Sequence, residues 1–331
     1  MSKQNLEIST LPQNNDYEDF EQLFSRWLIL IKPNLKETSY NKYYNLMKKN
    51  ILPFLGKKQI YELTTEYIQN YILLLLNGDN SRQGLSTKTV QDTFSLVKRA
   101  LRFASSQQIP LYCDFSMISI SPLPPSFNVL TSHEQQTLIT SLQPPTSLSE
   151  VGIMLALFTG IRIGELCALT WDNIHLNERY LEIKYTMQRI QNKTKKDGTK
   201  TKVVITKPKS NSSYRCIPLP EFLAFYLKSY QKSGNEFLLT GKINKYIEPR
   251  TLENHFKLTL KKLNIRDVNF HTLRHTFATC CVESGFDIKS LSEILGHSSV
   301  NITLNRYVHP SSELKKNQME KLEPLFSHTA K

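Results

Sequence analysis

The chain is predicted to be mainly α with a small antiparallel β-sheet: an all-α unit followed by an α+β unit. Three observations predict this. From Tyr17 to about Gln107 apolar residues recur at helical spacing and no strand pattern interrupts them. A stretch with Pro110, Pro122, Pro124 and Pro125, few charges and no period then separates that region from the rest. Beyond it helices return, broken once by alternating segments between about 180 and 219. At 331 residues the chain is long enough for two cores.

Taken in order, residues 1–16 read as a loose polar tail. Phe20, Leu23, Phe24, Trp27, Leu28 and Ile31 mark a first helix that Pro33 stops. Thr38 or Ser39 caps a second helix, with Tyr43, Tyr44 and Met47, which Pro53 and Gly56 end. A third follows Leu63-Thr64 through Tyr67, Ile68, Tyr71 and Ile72, and after a polar loop at 77–84 a fourth runs from near Ser86 to about Gln107. These make a helical unit over 17–110, and 111–130 reads as a linker. Thr131-Ser-His-Glu134 fits a capping box and opens a second unit, 131–331. Helices over roughly 149–158 and after Gly160 come next. Strands are expected at 180–190 and 202–206, joined through the turn signal Asp197-Gly198, with a short third strand from Arg215. Helices then continue to Phe326.

The chain carries 42 Lys and Arg against 29 Asp and Glu, a net charge of +13 that favours a polyanionic partner. Charge alone does not separate DNA from RNA or an anionic membrane. No run approaches the ~18 apolar residues that span a bilayer, and the polar N-terminus lacks a signal peptide's apolar centre. The five cysteines are scattered and form no C-x-x-C pair, as expected of reduced cysteines in a cytoplasmic protein.

The positive charge is concentrated. From Lys184 to Arg215 there are ten Lys or Arg and one acid, Asp197, more than a solvated hairpin requires. Lys195, Lys196, Lys200 and Lys202 are therefore candidate phosphate contacts. Lys88, Lys98, Arg99 and Arg102 form a second stripe on the fourth helix, where each residue singly reads as a solvated side chain.

Three short segments invite chemistry. In Thr159-Gly-Ile-Arg162-Ile-Gly-Glu165 an arginine interrupts an apolar run. It either pairs with Glu165 to hold a helix start or binds an anion, and Gly160 and Gly164 permit the close backbone approach an anion needs. His271 and Arg274 share a helix face at i and i+3. His275 adds the i+4 spacing of a two-histidine zinc face, but Thr272 stands where a zinc protease needs glutamate, so zinc is set aside. His297 follows Gly296, as in a helix C-cap, and Tyr307, the sole tyrosine after residue 250, follows ten residues later. Arginines, histidines and one hydroxyl nucleophile suit chemistry on a phosphodiester.

Read together, TGIRIGEL, PKSNSSYRCIPL, HTLRH, LGHSSV and LNRYVH match in order the motifs of the tyrosine recombinases, or phage-type integrases, which the chain resembles strongly over about 130–310. The helical unit before them is similar to that family's core-binding domain. The resemblance implies an all-α core-binding domain and an α+β catalytic domain. It implies that Arg162, Arg274, His271, His297 and Lys209 surround a scissile phosphate, that Tyr307 is the nucleophile and that Glu165 supports the site. Lys209 is preferred to Lys207 because it stands nine residues before Pro218 in a PKS…R.IPL frame. The implied reaction passes through a 3′-phosphotyrosyl intermediate and a four-way junction, for integration or excision of a mobile element, with no metal and no nucleotide cofactor. The implied partners are double-stranded DNA and a homotetramer on two sites, with room for an excision or accessory DNA-bending factor and none for a membrane. The tail, with Leu314, Met319, Leu322 and Phe326, is expected to pack on a neighbouring protomer or on its own domain. Residues 1–16 are too short for an extra arm-site domain. The long basic hairpin is nearer the transposon integrases than the compact Xer resolvases of replicon dimers. Both subfamilies stay open, as does a type IB topoisomerase-like enzyme.

Overall fold

A computed structural model describes residues 19–79, 82–121, 128–192, 199–207, 211–232 and 234–308, together with 316, 319, 320 and 322. The chain divides into two compact units, Met1–Pro125 and Ser126–Lys331. Among the described residues no helix is long and apolar enough to cross a membrane.

The first unit contains α1 (Phe20–Ile31), α2 (Glu37–Leu46), α3 (Leu52–Leu55), α4 (Thr65–Asn77) and α5 (Thr87–Ser106). Phe20, Leu23, Phe24, Trp27 and Leu28 of α1 bury one stripe against Val90, Phe94, Val97, Leu101 and Ala104 of α5. Side-chain caps start these helices: Asp19 for α1, Thr64 for α4 and Ser86 for α5. Pro53 does not end the second helical stretch as expected. A π-helical turn, Met47–Ile51, shifts the hydrogen-bond register, and the proline falls in the first turn of α3, where its missing N–H is harmless. The loop after α4 forms a small antiparallel pair, β1 (Gly78–Asp79) and β2 (Arg82–Gln83), in a unit expected to be all helix. Residues expected to be linker behave differently over 111–121: Leu111, Phe115, Ile118 and Ile120 pack on the first core. The prolines suppressed the periodic signal there while the apolar side chains still found a surface.

The second unit opens with α6 (Ser132–Ser141), whose Thr131/Glu134 capping box is present. α7 (Leu148–Thr159) is apolar nearly all round and runs through the middle of the core. The short α8 (Ile163–Cys167) follows. A three-stranded antiparallel sheet has the order β3 (Ile174–His175), β4 (Tyr180–Ile183), β7 (Arg215–Pro218). β5 (Thr186–Gln191) and β6 (Thr201–Thr206) form a separate hairpin, paired from Thr186↔Thr206 to Gln191↔Thr201. The expected single strand over 180–190 is thus two strands in two sheets. The predicted turn Asp197-Gly198 lies outside the described residues. Helices α9 (Glu221–Lys228), α10 (Pro249–Lys262), α11 (His271–Glu283), α12 (Ile288–Leu295) and α13 (Val300–Tyr307) complete the unit.

Candidate active site

The site is organised by the C-terminal ends of two helices. α7 ends at Gly160 and α12 at Gly296, both left-handed at φ 63° and 64°. Carbonyls at such ends lack helical partners and carry partial negative charge. Three arginines supply the partners. Arg274 donates to Gly160 O at 2.7 Å and Leu295 O at 2.6 Å, Arg162 to Gly296 O at 2.9 Å, and Arg215 to Ile294 O at 2.6 Å. The last carbonyls of α12 therefore gather guanidinium groups from α11, the start of α8 and β7.

Three cations repel unless something neutralises them, and Glu165 does so. Its Oε1 accepts from Arg162 at 2.7 Å and from Arg215 at 3.1 Å, and its Oε2 accepts from Arg215 at 2.8 Å. The side chains of Glu165 and Arg215 are only 4% and 5% exposed. Burial would raise the Glu165 carboxyl, but Arg215 and Arg162 outweigh it and hold the group below the usual carboxylate range. Arg274, 2% exposed, is lowered to about 9 by burial and by the other two arginines. Both glycines expected to help an anion approach are used within the protein. A Cβ at Gly160 would lie 2.6 Å from Phe277, and one at Gly164 would lie 2.7 Å from Met187 O of β5.

Beside the arginines lie three histidines and a tyrosine. The first turn of α11 carries His271 and His275, their rings edge to face at 4.6 Å. His297 leaves the C-cap of α12, and its Nδ1 lies 2.8 Å from the buried hydroxyl of Thr303. Tyr307, at the end of α13, packs with Ala278, Cys281, Leu291 and Leu295. Its ring is parallel to that of His297 at 6.4 Å, and its hydroxyl is 2.8 Å from His275 Nδ1. Arg306 reaches the same hydroxyl with a side-chain hydrogen bond.

Burial and the neighbouring cations keep the three imidazoles neutral: His271 and His275 fall to about 4 and His297 to about 3. His271 is the most open of the three, so water tempers its shift most. Burial raises the Tyr307 phenol, against the pull of Arg274 and Arg306. At neutral pH it holds its proton.

Of the residues expected at the site, the structure brings together Arg162, Glu165, His271, Arg274, His297 and Tyr307. Lys209 lies outside the described residues, and Lys207 is exposed just past β6. Arg215, Thr303, His275 and Arg306 were not picked out as site residues from the sequence. Arg215 stood in a quoted motif, yet nothing local pairs it with Glu165, fifty positions earlier. Among the described residues no cluster of three or more His, Cys, Asp or Glu could hold a metal.

Those of the expected DNA-contacting residues that are described fall on α5 and at β6. Lys88, Arg99 and Arg102 are exposed on α5, while Lys98 lies over the Phe94 ring at 5.3 Å. Lys88 pairs with Asp92 at 3.2 Å and Arg99 donates to the Tyr43 hydroxyl at 2.9 Å. Lys202 lies on β6 and Lys200 just before it, while Lys195 and Lys196 lie outside the described residues.

Comparison with known proteins decides the family. Residues 128–313 match the phage integrase family and residues 19–76 its N-terminal SAM-like domain. This chain belongs to the phage integrase family. It is a tyrosine recombinase, an enzyme of DNA strand cleavage and rejoining. A tyrosine recombinase XerC-like protein of Caldanaerobacter subterraneus subsp. tengcongensis is 26% identical over 95% of this recombinase and 85% of its own length. The Tn1549 transposon integrase, solved in complex with transposon right end DNA, shares the fold with a TM-score of 0.75 at 22% identity, over 92% of this chain and all of that one. A lambda integrase tetramer bound to a Holliday junction has a TM-score of 0.63 at 16% identity, over 88% of the recombinase and 78% of that chain.

Proposed function

We propose that this recombinase is site-specific and works through a 3′-phosphotyrosyl intermediate formed on Tyr307. The observation that carries the reading is the placement of one phenol within hydrogen-bond reach of His275 and Arg306, its ring parallel to that of His297 and its proton under the pull of Arg274. In the proposed step Tyr307 Oη attacks phosphorus and the bond to the 5′ oxygen breaks, leaving a free 5′ hydroxyl. A 5′ hydroxyl of the partner duplex then attacks the phosphotyrosine, and exchange passes through a four-way junction.

Arg162 and Arg274 are the proposed donors to the non-bridging oxygens, where charge grows as the transition state forms. Each guanidinium has five N–H groups, and the contacts given above occupy two of them. His271 and His297, as neutral imidazoles, add N–H donors, and Thr303 fixes the His297 ring. Lys209 is the proposed acid for the leaving oxygen. Glu165 and Arg215 are positioning residues, acting through Arg162.

The basic segment from Lys184 to Arg215, with ten Lys or Arg to one acid, supports service to a mobile element rather than resolution of replicon dimers, because it offers an added surface to phosphates. The proposed assembly is a homotetramer on two duplexes, an excision or accessory factor being compatible with it. Met319 and Leu322 of the tail are exposed, whereas Leu314 and Phe326 lie outside the described residues. The test uses a nicked suicide duplex built from the direct repeats that flank the gene's own locus. The wild-type chain is expected to form a covalent adduct on it, also in excess chelator. Tyr307→Phe is expected to bind the duplex equally well and form none. Adduct on the Phe variant, or no adduct with the wild type, refutes the reading.

A further inference from the structure

We infer that His275 is a catalytic residue of this recombinase: its Nδ1 accepts the Tyr307 proton as the phenol attacks, and returns it when the strand is rejoined. The inference rests on Tyr307 being the nucleophile and goes beyond it by naming the base.

Hydrogen-bond direction argues first. Among the described residues, His275 Nδ1 at 2.8 Å and the Arg306 side chain reach the Tyr307 oxygen. A guanidinium only donates. The phenol oxygen therefore accepts from Arg306, and we assign its own hydrogen to the bond with His275. That makes Nδ1 the acceptor and places the imidazole's hydrogen on Nε2.

The other two histidines are worse placed. His297 Nδ1 is engaged with Thr303, and its ring lies parallel to the tyrosine with the centroids 6.4 Å apart. His271 meets His275 rather than the phenol. His275 thus has the one imidazole nitrogen, among the described residues, found within hydrogen-bond distance of the nucleophile.

The charges around the pair explain why a base is needed and why this one is ready. His271 and Arg274 face His275 from its own helix, and Arg306 and Tyr307 face it from α13. His297 from the end of α12 and Arg162 from the start of α8 complete the surroundings. Burial and the nearby arginines keep His275 unprotonated at neutral pH. Burial also keeps Tyr307 from ionising unaided. In the forward step the O–H bond of Tyr307 breaks as the O–P bond forms. The proton moves to Nδ1, giving an imidazolium, and the electron pair of the breaking P–O5′ bond leaves on the 5′ oxygen. On rejoining, Tyr307 departs from phosphorus and takes the proton back.

Single-turnover cleavage by the full chain on the same nicked duplex, from about pH 6 to 9, tests this. The wild-type rate is expected to be flat with pH. His275→Ala is expected to be slower by roughly 10²–10⁴-fold near pH 7, to rise about tenfold per pH unit, and to be partly rescued by added imidazole. His275→Asn puts an amide where Nδ1 stood, so it can hold the hydroxyl but cannot take the proton. It is expected to bind DNA normally yet keep the slow, pH-dependent rate. An Asn variant with wild-type rate and a flat profile would show that the histidine only orients the phenol. A uniform fold-loss at every pH in the Ala variant would likewise overturn the idea. Independently of any variant, nitrogen NMR of histidine-labelled wild-type protein should find the His275 proton on Nε2, and a proton on Nδ1 excludes the role. Adduct on Tyr307→Phe is a different failure, of the nucleophile itself.

Discussion

At the scale of single residues, Glu165 decides whether three arginines can share one site. An ion pair on the surface, such as Lys88 with Asp92, is worth only about 0.3–0.5 kcal/mol. Glu165 is different because it and Arg215 are buried, and removing its charge leaves Arg215 and Arg162 uncompensated. Glu165→Gln is expected to lower unfolding stability by about 3–5 kcal/mol, read from urea titration of the unliganded chain. A loss below about 1 kcal/mol would mean that the pair is solvated like a surface pair. Half of this arrangement is readable locally. Arg162 and Glu165 are three apart at a helix start, and Glu165 Oε2 accepts from the Arg162 backbone N–H at 3.1 Å. Arg215 is not readable, because a strand arginine looks the same in sequence whether it faces water or a buried carboxylate.

Helix ends and the hairpin carry the predictions at the scale of elements. Gly160 needs a positive φ and has no room for a methyl group, and its carbonyl holds Arg274. Gly160→Ala is expected to cost more than about 1 kcal/mol of stability in the same titration. Cleavage should fall with it, because Gly160 O shifts under Arg274. Full cleavage at reduced stability would separate the helix end from the chemistry. On the hairpin, neutralising Lys195, Lys196, Lys200 and Lys202 together is expected to flatten the dependence of DNA affinity on salt. An unchanged slope would show that this hairpin does not touch phosphates. The sequence reading of elements worked where one cue dominated, as at the Thr131 cap or the apolar stripe of α1. It slipped where two cues competed. Pro53 reads as a stop, yet a change of helical register absorbed it, and the prolines around 110–125 hid apolar residues that pack on the first core.

Taken as a whole, the molecule holds its site under positive tension, and that shapes its response to acid. In the unfolded chain histidine titrates near ~6.5, whereas His271, His275 and His297 fall to about 4, 4 and 3 in the fold. Between those values the unfolded chain binds more protons, so stability declines as pH drops from about 6.5 toward 4. Above 6.5 these groups contribute no slope. Glu165 adds its loss lower still, once pH passes below the ordinary carboxylate range. Urea midpoints of the unliganded protein should therefore be level from pH 8 to 7 and fall from 6 to 5, and a rise on acidification contradicts this account. A DNA phosphate would partly neutralise the arginines and raise the imidazoles, so the slope should be shallower in the complex.

The sequence by itself determined the helical periodicity, the caps, the family motifs and which residue types stand ready for phosphate chemistry, because each of these depends on neighbours a few positions apart. The tertiary structure alone decided that the end of α12 is the meeting point. There the carbonyls of Ile294, Leu295 and Gly296 draw in arginines from three distant segments, and Tyr307 comes to rest against His275 rather than His271. No local pattern encodes such a choice, since it follows from where partial charges at helix ends lie once the cores have packed.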